Sequence, residues 1–316
     1  MPEKVLIYSR LPKSLTQRFA DRFELLDSGG TPAHEVFPAA EVAQIRALIT
    51  AGGTPLGADD MDRLPALGAI VCYGTGYDGV DLKAAAARNI VVGHSPGANA
   101  AAVADIALML MLASVRRLTA ADSYVRTGGW VEARPSPLLK PPPGLSGCKV
   151  GVYGMGEIGR KIAARVAAFE TEVGYFSRTR HDDLPYQYFS SLDALAEWCT
   201  VLMIAVRAGA ETTHVVDADL LKKIGPDGHV VNISRGSVID ERALLSALKD
   251  GIIAGAGLDV FETEPHAPDG LTSLQNVVVT PHIGGNTRES HVAMQECVVA
   301  NLTAFFAGEP LPFRVG

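Results

Sequence analysis

Short aliphatic and β-branched runs alternate with helically spaced segments along nearly the whole chain. Lys4–Tyr8 (KVLIY), Ala47–Thr50, Ala69–Tyr73 and Ile90–Val92 read as strands; Leu15–Phe23, Val42–Arg46 and Val80–Arg88 between them read as helices. Strands this uniformly apolar, separated by helices, predict a parallel sheet covered on both faces. The stretch Ala100–Val115 carries Asp105 within it. Its longest apolar run is far below the ~18–20 residues of a membrane span, so it predicts a buried helix. A polar arm follows, Arg116–Trp130, and then Ala133–Gly147. Within the latter, Pro141, Pro142 and Pro143 cannot continue a helix or a central strand, which makes this a loop or boundary. A second series then predicts strands at Lys149–Tyr153, Glu172–Phe176, Val201–Val206, His229–Ile233, Gly255–Leu258 and Val277–Thr280, with a final helix over Arg288–Phe306. The fold class is α/β, with two Rossmann-like parallel-sheet modules.

Composition narrows the function classes. The chain has 316 residues, enough for about two ordinary domains. At 47% hydrophobic and 20% charged it can bury enough surface to offset its ordering entropy, which excludes a disordered chain. A net charge of −7 with no long Lys/Arg run argues against nucleic acid as partner. Cys72, Cys148, Cys199 and Cys297 are widely spaced and suggest neither a zinc site nor a disulfide framework. The N-terminal MPEKVLIYSR lacks the long apolar region of a signal peptide, and a cytoplasmic protein is expected.

The pattern G-x-G-x-x-G occurs twice, at Gly74–Gly79 and at Gly154–Gly159. At about 10% glycine, roughly 0.3 matches arise by chance, so the residues downstream of each motif have to separate them. After Gly154-Met155-Gly156-Glu157-Ile158-Gly159 comes a helical segment and then the strand Glu172–Phe176. That strand ends in Ser177-Arg178-Thr179, where a dinucleotide fold reads the adenosine ribose. A carboxylate there would favour the 2′-hydroxyl of NAD; hydroxyls around a guanidinium suit a phosphate dianion. NADP(H) is therefore expected over NAD(H), against the alternative of an ordinary surface arginine. The Gly74 motif reads instead as a turn whose helix opens with Asp78 and Asp81, unfavourable to pyrophosphate. Its free amides suit a single carboxylate.

Reduction of a carbonyl needs a proton donor, an anchor for the substrate's carboxylate, and a partner that fixes the donor's charge. Arg235, in NISRG, Glu264, in DVFETEP, and His282, in TPHIGG, each follow a predicted strand. Singly, each reads as readily as a surface or turn residue. In three successive strand-end loops after a nucleotide motif they point to one site, with His282 as acid, Glu264 raising its pKa and Arg235 binding carboxylate.

GTGYDGVD (Gly74–Asp81), GMGEIG, VVNISRGSVIDERAL, GAGLDVFETEP and TPHIGG together resemble the D-isomer-specific 2-hydroxyacid dehydrogenases, and most of all their glyoxylate/hydroxypyruvate reductase branch. The resemblance covers nearly the whole chain. It implies a substrate-binding, flavodoxin-like domain of residues 1–98 plus 287–316 and a Rossmann coenzyme domain of residues 99–286. It places the catalytic trio on the same Arg235, Glu264 and His282. It implies that the amides of Thr75 and Gly76 bind the substrate carboxylate, with Leu56, Tyr73, Tyr77 and Trp130 as side chains of the pocket. It also implies that Asp259 meets the nicotinamide carboxamide and that Val103, Val206, Ile233 and Gly284 line the coenzyme. A homodimer through the coenzyme domain is implied, in which Trp130 of Gly128-Gly129-Trp130 reaches the neighbour's site. The chain departs from the family pattern at Arg207, where proline is common, and at Asp105, where glutamate is usual. The expected reaction is NADPH-dependent reduction of a small 2-oxo acid to the D-2-hydroxy acid. Alternatives are an NAD-dependent D-hydroxyacid or phosphoglycerate dehydrogenase and, from another class, a dinucleotide-sensing corepressor.

Overall fold

The computed structural model describes residues 3–9, 11, 17, 19, 21–136 and 141–315. It divides into two compact units, Met1–Asn99 with Asn286–Gly316, and Ala100–Gly285.

The first unit is built on β1 (Lys4–Ile7), β2 (Glu24–Asp27), β3 (Ala47–Thr50), β4 (Ala69–Cys72) and β5 (Val91–Gly93). They pair in parallel in the order β2-β1-β3-β4-β5. Successive residues of these strands point to opposite faces, so one strand feeds two cores. Leu6, Leu48 and Ile70 pack on one side with Leu56, Met61 and Val80. Ile7, Ile49 and Val71 pack on the other with Met294, Val298 and Leu302 of the helix Arg288–Ala307. That helix is capped by Thr287, whose hydroxyl accepts from the Ser290 amide.

The second unit carries β6 (Lys149–Tyr153), β7 (Glu172–Phe176), β8 (Gln187–Tyr188), β9 (Val201–Ile204), β10 (His229–Asn232), β11 (Gly255–Leu258) and β12 (Val277–Val279). All are parallel, in the order β12-β11-β10-β9-β6-β7-β8. Helices Ala100–Val115 and Glu157–Ala167 cover one face, packing Leu110, Met111, Ile162 and Val166 on Val150, Val152 and Met203. Helices Leu192–Trp198, Ala218–Ile224 and Glu241–Lys249 cover the other through Leu195, Leu220 and Leu244. The chain leaves β6 toward β7 and later returns to β9 on β6's other side. That reversal opens a crevice at the carboxyl ends of β6 and β9, the usual place for a ligand in an open α/β sheet.

Several expectations shift. β2 and β8 were not predicted; one is only four residues long and the other two. The helix expected over Val42–Arg46 is replaced by short helices Ala33–Val36 and Ala39–Val42, each preceded by a proline whose preset φ suits a helix start. Of the helix expected over Leu15–Phe23, Gln17 and Phe19 are helical, residues 21–23 form a turn, and the other four residues lie outside the described ones. The polar arm contains a helix, Leu118–Arg126. The Gly74 motif does not open a helix directly: the next helix starts at Leu82, capped by the Asp81 carboxylate, and Asp78 lies outside it. No helix among the described residues is long and apolar enough to cross a membrane.

His229 is buried at the start of β10, its Nδ1 2.8 Å from the Ser114 hydroxyl. Burial, with the Arg117 charge nearby, pushes its pKa from 6.5 down to about 4. The unfolded chain takes up this proton near pH 6.5 and the folded chain only near 4, so stability falls as pH drops through that window. The loss amounts to about 3 kcal/mol. Denaturation of the wild type and of His229→Gln from pH 7.5 to 4 should show the steeper fall in the wild type; parallel curves would refute this.

Candidate active site

The glycine loop at Gly154 sits in the crevice. Gly154 has φ +99°, and a Cβ there would lie 2.7 Å from the Ala205 carbonyl oxygen, so only glycine lets the loop cross the end of β9. This contact also explains why β9 ends at Ile204 and not at Val206 as predicted. Gly156 is the N-cap of the helix Glu157–Ala167, and a Cβ built on it meets nothing within 4 Å. The loop therefore leaves open space in front of a helix N-terminus whose first amides have no partner among the described residues, as a pyrophosphate requires. The side chain of Met155 is buried and Ile158 packs against the core, so both would act there only through the backbone.

At the end of β7, the Ser177 hydroxyl donates to the Thr179 carbonyl at 2.6 Å and closes a tight turn. Asp183 binds Arg160 at 2.7 Å and Asp182 binds Arg180 at 2.9 Å. Arg178 is exposed and has no ion pair among the described residues. Of the expected hydroxyl–guanidinium–hydroxyl group, Arg178 and Thr179 are exposed, and only the Thr179 carbonyl is engaged by Ser177.

β10, β11 and β12 lie side by side, and the expected trio follows them in order. Asn232, buried at the end of β10, takes the Ser234 amide at 3.0 Å and donates to the Arg235 carbonyl at 2.8 Å. This shapes the turn that presents Arg235, whose Nη1 donates to the Ser234 carbonyl at 2.8 Å. The Ser234 hydroxyl bonds the Val206 carbonyl, tying this turn to the crevice. Beside it, a Cβ on Gly236 would lie 1.9 Å from the Phe261 carbonyl carbon. Glycine here lets the loop carrying Glu264 reach the arginine.

Glu264 and His282 meet directly, Oε2 to Nδ1 at 2.7 Å. Burial pushes the Glu264 carboxyl upward, but His282, the Phe261 amide and the Arg235 charge outweigh it and hold it below its ordinary range. Nδ1 of His282 faces the carboxylate, which leaves Nε2 as the nitrogen that can serve a substrate. His282 has φ +52°, a left-handed conformation uncommon for a residue with a side chain. Asp259 holds it there. The Asp259 carbonyl accepts the His282 amide at 2.8 Å. Its carboxylate, 1% exposed, takes the Thr280 hydroxyl at 2.6 Å and the Ile283 and Gly284 amides at 2.9 and 2.8 Å. Val103 lies over Gly284, so Val103, Asp259 and Gly284 form one cluster.

Glu241, which no sequence motif singled out, accepts the Glu262 amide at 2.9 Å from the first turn of its helix. The Glu262 side chain bonds His214. The loop bearing Glu264 is thus anchored at Glu262 as well. Arg207, the departure from the family pattern, lies near enough to Arg235 that burial and the second guanidinium both lower its pKa.

In the first unit, Leu56 is 1% exposed, and its backbone bridges Val80 while its side chain lies in the core. Tyr73 is buried with its hydroxyl 2.9 Å from His291 Nδ1. Tyr77, the other aromatic expected there, is half-buried. Thr75 and Gly76 are half-buried, and their amides have no partner among the described residues. Trp130 is 71% exposed.

Residues 108–284 match the family D-isomer specific 2-hydroxyacid dehydrogenase, NAD binding domain. The chain belongs to this family. It is 37% identical to hydroxyphenylpyruvate reductase of Plectranthus scutellarioides, over 97% of each protein. It is 42% identical to 2-ketogluconate reductase of Gluconobacter oxydans, over 84% of this chain and 85% of that protein. Its fold superposes with a TM-score of 0.93, at 36% identity, on the NADPH-dependent glyoxylate/hydroxypyruvate reductase of Sinorhizobium meliloti solved with NADP and malonate, covering 100% of this chain and 97% of that one. The chain is thus an oxidoreductase of the 2-hydroxyacid dehydrogenase class that uses a nicotinamide dinucleotide.

Asp259→Asn would turn an NH₂ group toward donors that now share a carboxylate. The substitution should cost about 2–4 kcal/mol in urea denaturation. A change within about 0.5 kcal/mol would show that the loop does not depend on this carboxylate.

Proposed function

We propose that the protein reduces a small 2-oxo acid of the glyoxylate/hydroxypyruvate kind to the D-2-hydroxy acid, with NADPH preferred over NADH. The observation that carries this reading is the Glu264–His282 pair beside Arg235 at one sheet edge. When bound, the reduced coenzyme supplies the electron pair and one hydrogen. Held through Nδ1 by Glu264, His282 gives the second hydrogen from Nε2 as a proton to the carbonyl oxygen. The Glu264 carboxylate stabilises the imidazolium that precedes that transfer. Arg235, always charged, binds the substrate's carboxylate and draws electron density toward the carbonyl oxygen. In the first unit, the Thr75 and Gly76 amides are proposed to bind a substrate carboxylate. Gly154–Gly159 receives the pyrophosphate, and Arg178 the 2′-phosphate, with Val206, Ile233, Val103, Asp259 and Gly284 around the nicotinamide end.

The chain is similar to reductases of hydroxyphenylpyruvate, of 2-ketogluconate and of glyoxylate/hydroxypyruvate. The likeness to the Sinorhizobium meliloti enzyme favours the smallest, and supports the coenzyme choice together with the exposed guanidinium of Arg178. His282→Gln should lower kcat at least about 100-fold with glyoxylate. In the same assay Arg178→Gln should raise KM for NADPH about tenfold or more and leave KM for NADH nearly unchanged. Normal turnover in the first variant, or equal effects on both coenzymes in the second, would overturn the respective assignment.

The reading includes a homodimer through the second unit. Trp130 and Val131, 71% and 91% exposed, lie on the same arm as exposed Leu118 and Val125, an apolar surface that a second copy would cover. Light scattering should give twice the chain mass, and Val131→Asp should lower it. A monomeric wild type at assay concentrations would rule this out.

A further inference from the structure

The Gly74 loop owes its orientation to residues 94 and 95, at the end of β5. The Gly74 carbonyl accepts the Ser95 amide at 3.1 Å, and the Thr75 carbonyl lies 3.0 Å from His94 Nδ1. A carbonyl only accepts, so the proton of this imidazole is on Nδ1. In a trans peptide the N–H points opposite to the preceding C=O. With both carbonyls turned to residues 94 and 95, the Thr75 and Gly76 amides must both point away from that segment. Two successive amides aimed the same way form an anion-binding concavity. The Thr75 hydroxyl is drawn to the same side as the carbonyls, 2.9 Å from both the Ser95 carbonyl and Asn99 Oδ1.

The segment is itself braced. The His94 amide donates to the Phe313 carbonyl at 3.0 Å, and Gly93 pairs antiparallel with Arg314. Asn301, fully buried, donates to the His94 carbonyl at 3.2 Å and accepts the Phe313 amide at 3.1 Å. The His94 ring stands edge-on to Tyr77, centroids 5.3 Å apart, on the far side of the loop. Through Nδ1–H the His94 side chain donates to the main chain of the anion loop at Thr75.

We propose that His94 is a positioning residue for substrate binding: its Nδ1–H holds the Thr75 carbonyl and so aims the Gly76 amide at the substrate carboxylate. This rests on the proposed binding of that carboxylate by the Thr75 and Gly76 amides. The hydrogen bond is worth about a tenfold change in affinity when lost. His94→Leu removes the donor, and His94→Gln moves it one bond too far. His94→Asn keeps an N–H at the same number of bonds from the backbone. Leu and Gln should raise KM for glyoxylate about five- to tenfold, with kcat within about twofold and the Kd of NADPH unchanged. Asn should restore KM to within about twofold. An unchanged KM in Gln, or an Asn variant no better than Gln, overturns the proposal, and the Gln and Asn pair suffices should Leu fail to fold. Amide NMR of the wild-type holoenzyme separates the two layers. Shifts at Thr75 and Gly76 on adding oxalate, with KM unmoved in Gln, refute His94 alone. No shift at either amide removes the carboxylate reading and this proposal with it.

Discussion

The Asp259 carboxylate is the interaction on which the catalytic edge depends. It is buried at the end of β11, and a buried carboxylate is tolerated only where hydrogen bonds replace its lost hydration. The Thr280 hydroxyl and the Ile283 and Gly284 amides supply them. Because those donors flank His282, satisfying Asp259 also forces the backbone between them into a left-handed turn. That turn carries the imidazole toward Glu264. Bound to the loop on one side and to β11 on the other, the carboxylate converts sheet geometry into side-chain geometry.

The same logic operates at the other loops. In each, a strand ends, the next backbone passes close by, and a polar group decides which way the peptides face. At Arg235 the group is the Asn232 side chain, at Glu262 it is Glu241, and at Thr75 it is His94. These side chains act on the backbone, since a rotated peptide plane moves a donor or a side chain by more than a hydrogen bond tolerates.

Charge follows function locally and not globally. The chain is acidic overall, with a net charge of −7, yet it handles anionic substrate and coenzyme. Near the end of β7, Arg160 is paired with Asp183 and Arg180 with Asp182. Arg178 stands apart from those pairs, and Arg235 faces Glu264 at a distance where its charge still lowers that carboxyl's pKa.

Much of this was legible in the order of residues. Short, uniformly apolar runs between helically spaced segments mark the strands of a sheet covered on both faces, and β9, β10 and β11, buried at every residue, fit that pattern. The glycine motif at Gly154 and the trio at Arg235, Glu264 and His282 are readable because each follows a strand, and strand ends in a parallel sheet share one edge. The sequence could not separate the roles of two similar glycine motifs beyond what lay downstream of them. Nor did it mark β2 and β8, edge strands that carry Glu24, Asp27 and Gln187 in place of a uniformly apolar run, or His94, Glu241 and Asp259 as anchors. Their partners lie about 19 to 25 residues away or come from the C-terminal segment. Local sequence specifies which backbone a residue prefers, whereas which carbonyl a side chain meets depends on how distant loops come together. That contact was settled only by the tertiary structure.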